Sequence, residues 1–390
     1  MSLAIRGMGW ITPLGANIAD VWSKLLEGKE ATAETISSPI SPRTYQAFRI
    51  AESVAAHPRL RRSSAISHFA VAAGLAALKD AGFDSQRDAA RTALIFATSN
   101  GGVIYTKRFY HDIVASGAQS ASPLLFPETV FNAPASHLSA ILGITGASYT
   151  VVGDGAIGLL ALKMAEDLMQ NEALEFCLVV GAEEADWLLC DAYRKWRLLR
   201  KTPPVEPFLT SPKGMILSEG GGAIVIGRGG TIEIEKVAAG GNYPRQKDAA
   251  EILGRVFAEL GSNRADIIVA SANGTFIDLA ERDALLRIFP GALVYTMKPA
   301  LGESVGASAI WQVIVAAQAL LTHQVPPVLH SRAESPLQTF SATMTNDSMR
   351  TAVVSACGLN QQVAGLRLTL GAEAKQPAAK TVSAATMGRF

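Results

Sequence analysis

Val151-Val152-Gly153-Asp154-Gly155-Ala156-Ile157-Gly158 is the stretch on which the reading of this chain turns. It spells G-x-G-x-x-G. Residues 148–152 read as a strand running into it, and residues 157–170 as a long apolar helix leaving it. A turn of this kind leaves bare backbone and a helix N-terminus free to hold a pyrophosphate. Glu183 and Glu184 follow the next strand, where a ribose-binding acid would sit. Read alone, the turn from Gly153 to Gly158 points to an NAD(P)-dependent oxidoreductase. Its position argues otherwise, because the residues ahead of it already alternate as strands and helices.

Working outward, residues 3–7, 92–98, 176–180 and 223–227 read as strands, and 19–26, 68–81 and 137–142 as helices. Residues 37–62, rich in Ser, Pro and Arg, read as an irregular surface excursion. A second series follows the same script. Strands at 232–237, 267–270, 292–295, 351–356 and 366–370 alternate with helices at 248–260, 280–288 and 305–321. In both series a strand runs into a small or Gly-containing turn and then an apolar helix. The predicted class is α/β, built from two duplicated halves, 1–230 and 231–371, with a mobile tail over 372–390.

Bulk properties narrow the function. The chain has 390 residues, 49% hydrophobic and 18% charged, with a formal net charge of +1. It can bury a large core, and its charge gives no reason to expect nucleic acid or membrane as a partner. Cys177, Cys190 and Cys357 lack metal-ligand spacing and form no disulfide framework, so no metal is expected and a reducing compartment is. The first fifteen residues look like a strand and turn rather than a signal peptide, and no stretch is apolar enough over about 20 residues to span a bilayer. A cytoplasmic protein without cofactor is the expectation.

Several motifs in order give a more specific reading. Gly7-Met8-Gly9-Trp10-Ile11-Thr12-Pro13-Leu14-Gly15 comes first, then Asn132 through His137-Leu138, then Gly143 and Gly146-Ala147-Ser148. Gly181-Ala182-Glu183 and Ser218-Glu219-Gly220-Gly221-Gly222-Ala223 follow. In this series the chain resembles the β-ketoacyl-acyl-carrier-protein synthases from about Ala4 to Leu370. The resemblance implies a thiolase-like five-layer αβαβα fold. It also offers another explanation of the glycine turn, since this is where the family carries its nucleophilic cysteine.

The family's condensing chemistry needs that cysteine and two histidines. By resemblance the cysteine falls at Gly155, one histidine at Asn273 in Ser271-Ala272-Asn273-Gly274-Thr275, and the other at Glu303 in Lys298-Pro299-Ala300-Leu301-Gly302-Glu303. Glycine carries no nucleophile, Asn273 can donate a hydrogen bond but carries no charge, and an ionised Glu303 would repel a developing oxyanion. Lys298 is the retained pocket residue, expected to pair with Glu303. Leu359 matches the family's gate, and Asn360-Gln361 replace flexible glycines in a loop expected no longer to open. His137 matches a non-catalytic position.

The resemblance therefore implies a chain-length-factor-like subunit with no catalytic residue of its own. Its expected partners are an active β-ketoacyl synthase, as a heterodimer, and acyl carrier protein. Chain-length factors often carry glutamine where this chain has Gly155, which leaves polyketide, polyene and fatty-acid-like elongation all open. Tyr105, Phe109, Leu125 and Thr129 are candidates for the interface and tunnel. The basic run from Tyr193 to Lys201 spaces like a helix with a charged face, a solvated surface or a docking site for an acidic carrier protein. The alternatives are the oxidoreductase above, or a stand-alone homodimer that binds acyl chains or carrier protein.

Overall fold

The computed structural model describes residues 2–51, 57–262, 264–332 and 336–371. The first half contains β1 (Leu3–Ile11), α1 (Ile18–Leu26), β2 (Ala33–Ser37), β3 (Thr44–Phe48), α2 (Ala65–Asp80) and α3 (Ser85–Asp88). It continues through β4 (Thr92–Thr98), α4 (Val103–Ser116), α5 (Ala133–Leu142), β5 (Ser148–Val152) and α6 (Ile157–Leu168). β6 (Phe176–Glu183), α7 (Trp187–Lys195), β7 (Leu217–Ser218) and β8 (Gly220–Arg228) complete it. The second half runs β9 (Ile232–Asn242), α8 (Ala249–Glu259), β10 (Ile267–Val269), α9 (Phe276–Ile288), β11 (Leu293–Tyr295), α10 (Lys298–Leu301) and α11 (Val305–Thr322). It closes with β12 (Gln324–Val325), β13 (Met344–Thr345), β14 (Thr351–Cys357) and β15 (Gln362–Leu370).

The duplication is plain in the strand order. One half-sheet reads β1-β8-β6-β4-β5 and the other β9-β15-β14-β10-β11. In each, the first strand pairs antiparallel with the last, and the last pairs antiparallel with the fourth. The fourth then runs parallel to the second, and the second parallel to the third. The half-sheets touch edge to edge only where Ala4 and Ile5 of β1 meet Glu233 and Ile232 of β9.

Helices fill the layers by the same rule. α2 and α5 cover one half-sheet, and α8 and α9 lie outside the other. α6 and α11, each following the third strand of its half, pack together between the two sheets. This is the five-layer arrangement. α11 is mostly apolar because nearly all of it is buried, Gln318, Leu321 and Thr322 excepted. By length and composition it is apolar enough to cross a membrane, which corrects the expectation that no stretch is, but 83% of it is covered within the molecule. The glycines of the opening motif have a packing role. A Cβ at Gly7 or Gly9 would stand 2.3 Å from the carbonyl oxygen of Ala77 or Ala73, so α2 lies directly on bare β1 backbone.

Two further expectations need correction. Residues 37–62 are not wholly irregular: β3 pairs with β2 and β7 in a small sheet, burying Tyr45, Ala47 and Phe48 among polar neighbours that mask the pattern. The basic run is not one helix. α7 stops at Lys195, Arg197 takes a left-handed φ of 59°, and Leu199 then bridges to Met215. The segment 372–390 lies outside the described residues.

Candidate functional site

The turn between β5 and α6 is held from across the molecule. Asp154, 9% exposed, accepts a hydrogen bond from the Asn360 amide at Oδ2 (2.8 Å) and a longer one from Ala156 at Oδ1 (3.4 Å). Its own amide donates to Gln362 Oε1 at 2.9 Å. Burial pushes the Asp154 carboxyl up to about 6, against the backbone donors that favour its charge. A side chain at Gly358 would displace the Asp154 carboxylate, because a Cβ there would lie 2.0 Å from either of its oxygens. The Tyr243 hydroxyl donates to the Gly358 carbonyl at 2.6 Å, and the Gly358 amide to the Gln362 carbonyl at 2.7 Å.

Residues 358–362 therefore form a strap over the turn. Gly155 lies beneath it, and a Cβ at Gly155 would sit 3.5 Å from Gly358 Cα and 3.6 Å from the Cys357 carbonyl oxygen, ordinary contact distances. The site has room for a small side chain and holds none. As it stands the turn does not present bare backbone to a pyrophosphate: the Gln362 side chain lies in front of Gly153, and residues 358–362 pass over Gly155. Nor are Glu183 and Glu184 free for a ribose. Glu183 accepts from the amides of Ser99 and Asn100, and Glu184 from that of Ile66. Burial pushes them up to about 8 and about 7.

Asn273, Lys298 and Glu303 come together as a closed polar cluster, each no more than 4% exposed. Lys298 Nζ donates to Glu303 Oε1 and Oε2 at 2.8 and 2.7 Å, and Asn273 Nδ2 donates to Glu303 Oε2 at 2.8 Å. Asn273 Oδ1 accepts from the Thr275 hydroxyl at 2.7 Å. Burial draws the Lys298 ammonium below its ordinary range, and Glu303 partly restores it. Beneath the cluster, Asp278 accepts from the amides of Phe208, Asn273 and Gly274, fixing the loop. The signal for Asp278 was present in the sequence: Thr275-Phe276-Ile277-Asp278 has the spacing of a helix-capping box, and Thr275 is the N-cap of α9.

A cavity of about 740 Å³ opens outside the strap. Asp154, Asn360 and Gln362 line it with Tyr193, Trp196 and Leu359, and no member of the Asn273–Lys298–Glu303 cluster reaches it. Tyr193 and Trp196 stand edge to face, 5.7 Å apart. Much of the basic run beside the cavity is paired internally: Arg194 and Lys195 with Asp191, and Arg200 with Glu206. Cys177, Cys190 and Cys357 are all buried and free, with their thiols pushed upward by burial.

Tyr105, Phe109, Leu125 and Thr129 gather on another face. α4 buries none of its residues fully. Phe109 packs on Phe126 at 5.8 Å, the Tyr105 hydroxyl donates to the Ser63 carbonyl, and Thr106 reaches the Thr129 carbonyl. His137 is held by Glu128 at 2.6 Å, which also caps the start of α2 through Ser64.

Comparison with known proteins matches residues 2–230 to the N-terminal domain of β-ketoacyl synthases and residues 230–332 to their C-terminal domain. The chain belongs to the β-ketoacyl synthase family. Nodulation protein E of Rhizobium sp. (strain N33) is 24% identical over 362 residues, covering 86% of this chain and 90% of that protein. The 3-oxoacyl-[acyl-carrier-protein] synthase 2 of Vibrio cholerae is 23% identical over 365 residues, covering 84% and 88%. Among solved structures, the ishigamide ketosynthase/chain length factor superposes with a TM-score of 0.84 at 19% identity over 95% of this chain and 99% of that one. A ketosynthase in complex with its chain length factor from Xenorhabdus doucetiae gives 0.82 at 17% identity over 95% and 98%. The synthase fold is thus present, with Gly155 at the turn between β5 and α6.

Proposed function

We propose that this chain is the non-condensing member of a heterodimer with an active β-ketoacyl synthase. It shapes the acyl tunnel as a chain-length factor does, in type II polyketide, polyene or fatty-acid-like elongation, while acyl carrier protein delivers the chain. The observation that carries the reading is Gly155: the β5–α6 turn is intact, spacious enough for a side chain, and empty of one. Asn273 and Glu303 support it, since both are committed to the Lys298 ion pair instead of facing a substrate. The likeness to solved ketosynthase/chain length factor pairs supports the kind of partner.

A surface suited to that partner exists. β5 is the outermost strand of its half-sheet, with Tyr149 and Val152 exposed. Phe126, Val130 and Phe131 are exposed on the segment before α5. An open strand edge with apolar residues invites pairing with another chain.

The test is co-expression with an intact synthase, tagging only this chain, followed by native mass and a malonyl/acyl-carrier-protein condensation assay. A one-to-one complex that condenses, and still condenses with Gly155→Ala in this chain, is the expected result. A chain that purifies alone as a homodimer and condenses, or that turns over a nicotinamide cofactor, sinks the reading.

A further inference from the structure

We infer that Asp154 is a latch that holds the 358–362 strap closed, sealing the outer cavity from the turn at Gly155. The ties are specific. Asp154 Oδ2 accepts from the Asn360 amide, the Asp154 amide donates to Gln362 Oε1, and the Tyr243 hydroxyl donates to the Gly358 carbonyl. Gln361 sits between the two tied residues at a left-handed φ of 79°, which a non-glycine residue adopts only where its surroundings enforce it. Gly358 lacks a side chain at the one place where the Asp154 carboxylate occupies the Cβ position. No Lys, Arg or His pairs with Asp154 among the described residues, so its hydrogen-bonding capacity is spent on the turn and the strap.

The cavity boundary agrees. Gly153, Asp154, Asn360 and Gln362 form part of its lining, while Gly155 and Cys357 do not. Cys357 is 3% exposed and its amide donates to the Ser271 hydroxyl, so the residue before the strap is anchored inward. The strap amides of Gly358, Asn360 and Gln362 are all hydrogen-bonded, which makes closure measurable. All of these ties lie within this chain. Failure of the latch would leave the partner reading standing, and failure of the partner reading would leave the latch standing.

Hydrogen exchange of the segment 357–363 and maleimide labelling of Cys357 in the full chain test it. Asp154→Ala should raise exchange in that segment by about tenfold, the size expected for losing a hydrogen bond to a buried group. Cys357 should then label faster while Cys177 and Cys190 stay protected. Asp154→Asn should restore protection, because its carboxamide oxygen still accepts from Asn360. Unchanged exchange in Asp154→Ala overturns the latch, as does failure of Asp154→Asn to rescue. If Asp154→Ala loosens the whole chain, Gln362→Ala decides: faster exchange confined to 358–362 supports the latch, and none overturns it.

Discussion

At the residue scale, the dominant feature is charge kept out of water. Lys298 and Glu303 satisfy each other, so removing one leaves the other buried and unpaired. Glu303→Ala is expected to cost about 3–5 kcal/mol in urea denaturation, the usual penalty for an orphaned buried charge. The double variant Lys298→Met with Glu303→Met should recover most of that loss, because it removes both charges at once. A second expectation concerns pH. Glu183 rises from its ordinary 4.5 to about 8 on folding because burial opposes its charge. The folded state therefore holds this proton more tightly than the unfolded chain. Its contribution to stability is full below about pH 4.5, falls as pH rises, and levels off beyond about 8. Glu183→Gln should flatten this part of a stability profile measured from pH 4.5 to 8.5; an unaltered slope would contradict the assignment.

At the element scale, α6 separates two kinds of glycine. At its entrance Gly155 faces ordinary contact distances, whereas a Cβ on Gly158 would stand 2.9 Å from that of Ala309 on α11. Gly155→Ala should alter stability by less than about 1 kcal/mol. Gly158→Ala should cost about 1–3 kcal/mol by overpacking the central helix pair. Thermal melts of the two variants side by side check this. Similar losses in both would mean that the turn is as tightly packed as the helix pair. The contrast also shows what a motif hides: three glycines in one G-x-G-x-x-G face three different surroundings, the Gln362 side chain, the backbone of Cys357 and Gly358, and α11.

At the scale of the whole molecule, one end of the ten-stranded sheet is β5, with Tyr149 and Val152 exposed on it. Val152→Lys places a charge on that edge without disturbing the core, since Val152 is 48% exposed. It should leave the isolated chain folded but weaken co-purification with a synthase by at least about tenfold, read by native mass, because the charge would be desolvated on association. Retained one-to-one complex would place the interface elsewhere.

The fold was legible in the residues because its signals are local. Glycine turns, apolar strands and helices, and the order of short motifs survive in a linear chain, and with them the presence of glycine at position 155. The partners of Asp154 were not legible. Asn360 and Gln362 lie some 200 residues away and are of a type found on any surface. The duplication was only suspected from the sequence, since a repeated strand order persists after side chains have diverged, and hydrogen-bond pairing alone displays it. The sequence determined the family of folds and the absence of a thiol at the turn, because both follow from residue types in order. The tertiary structure alone decided which buried polar groups meet, because a hydrogen bond depends on distances that only the packed chain sets.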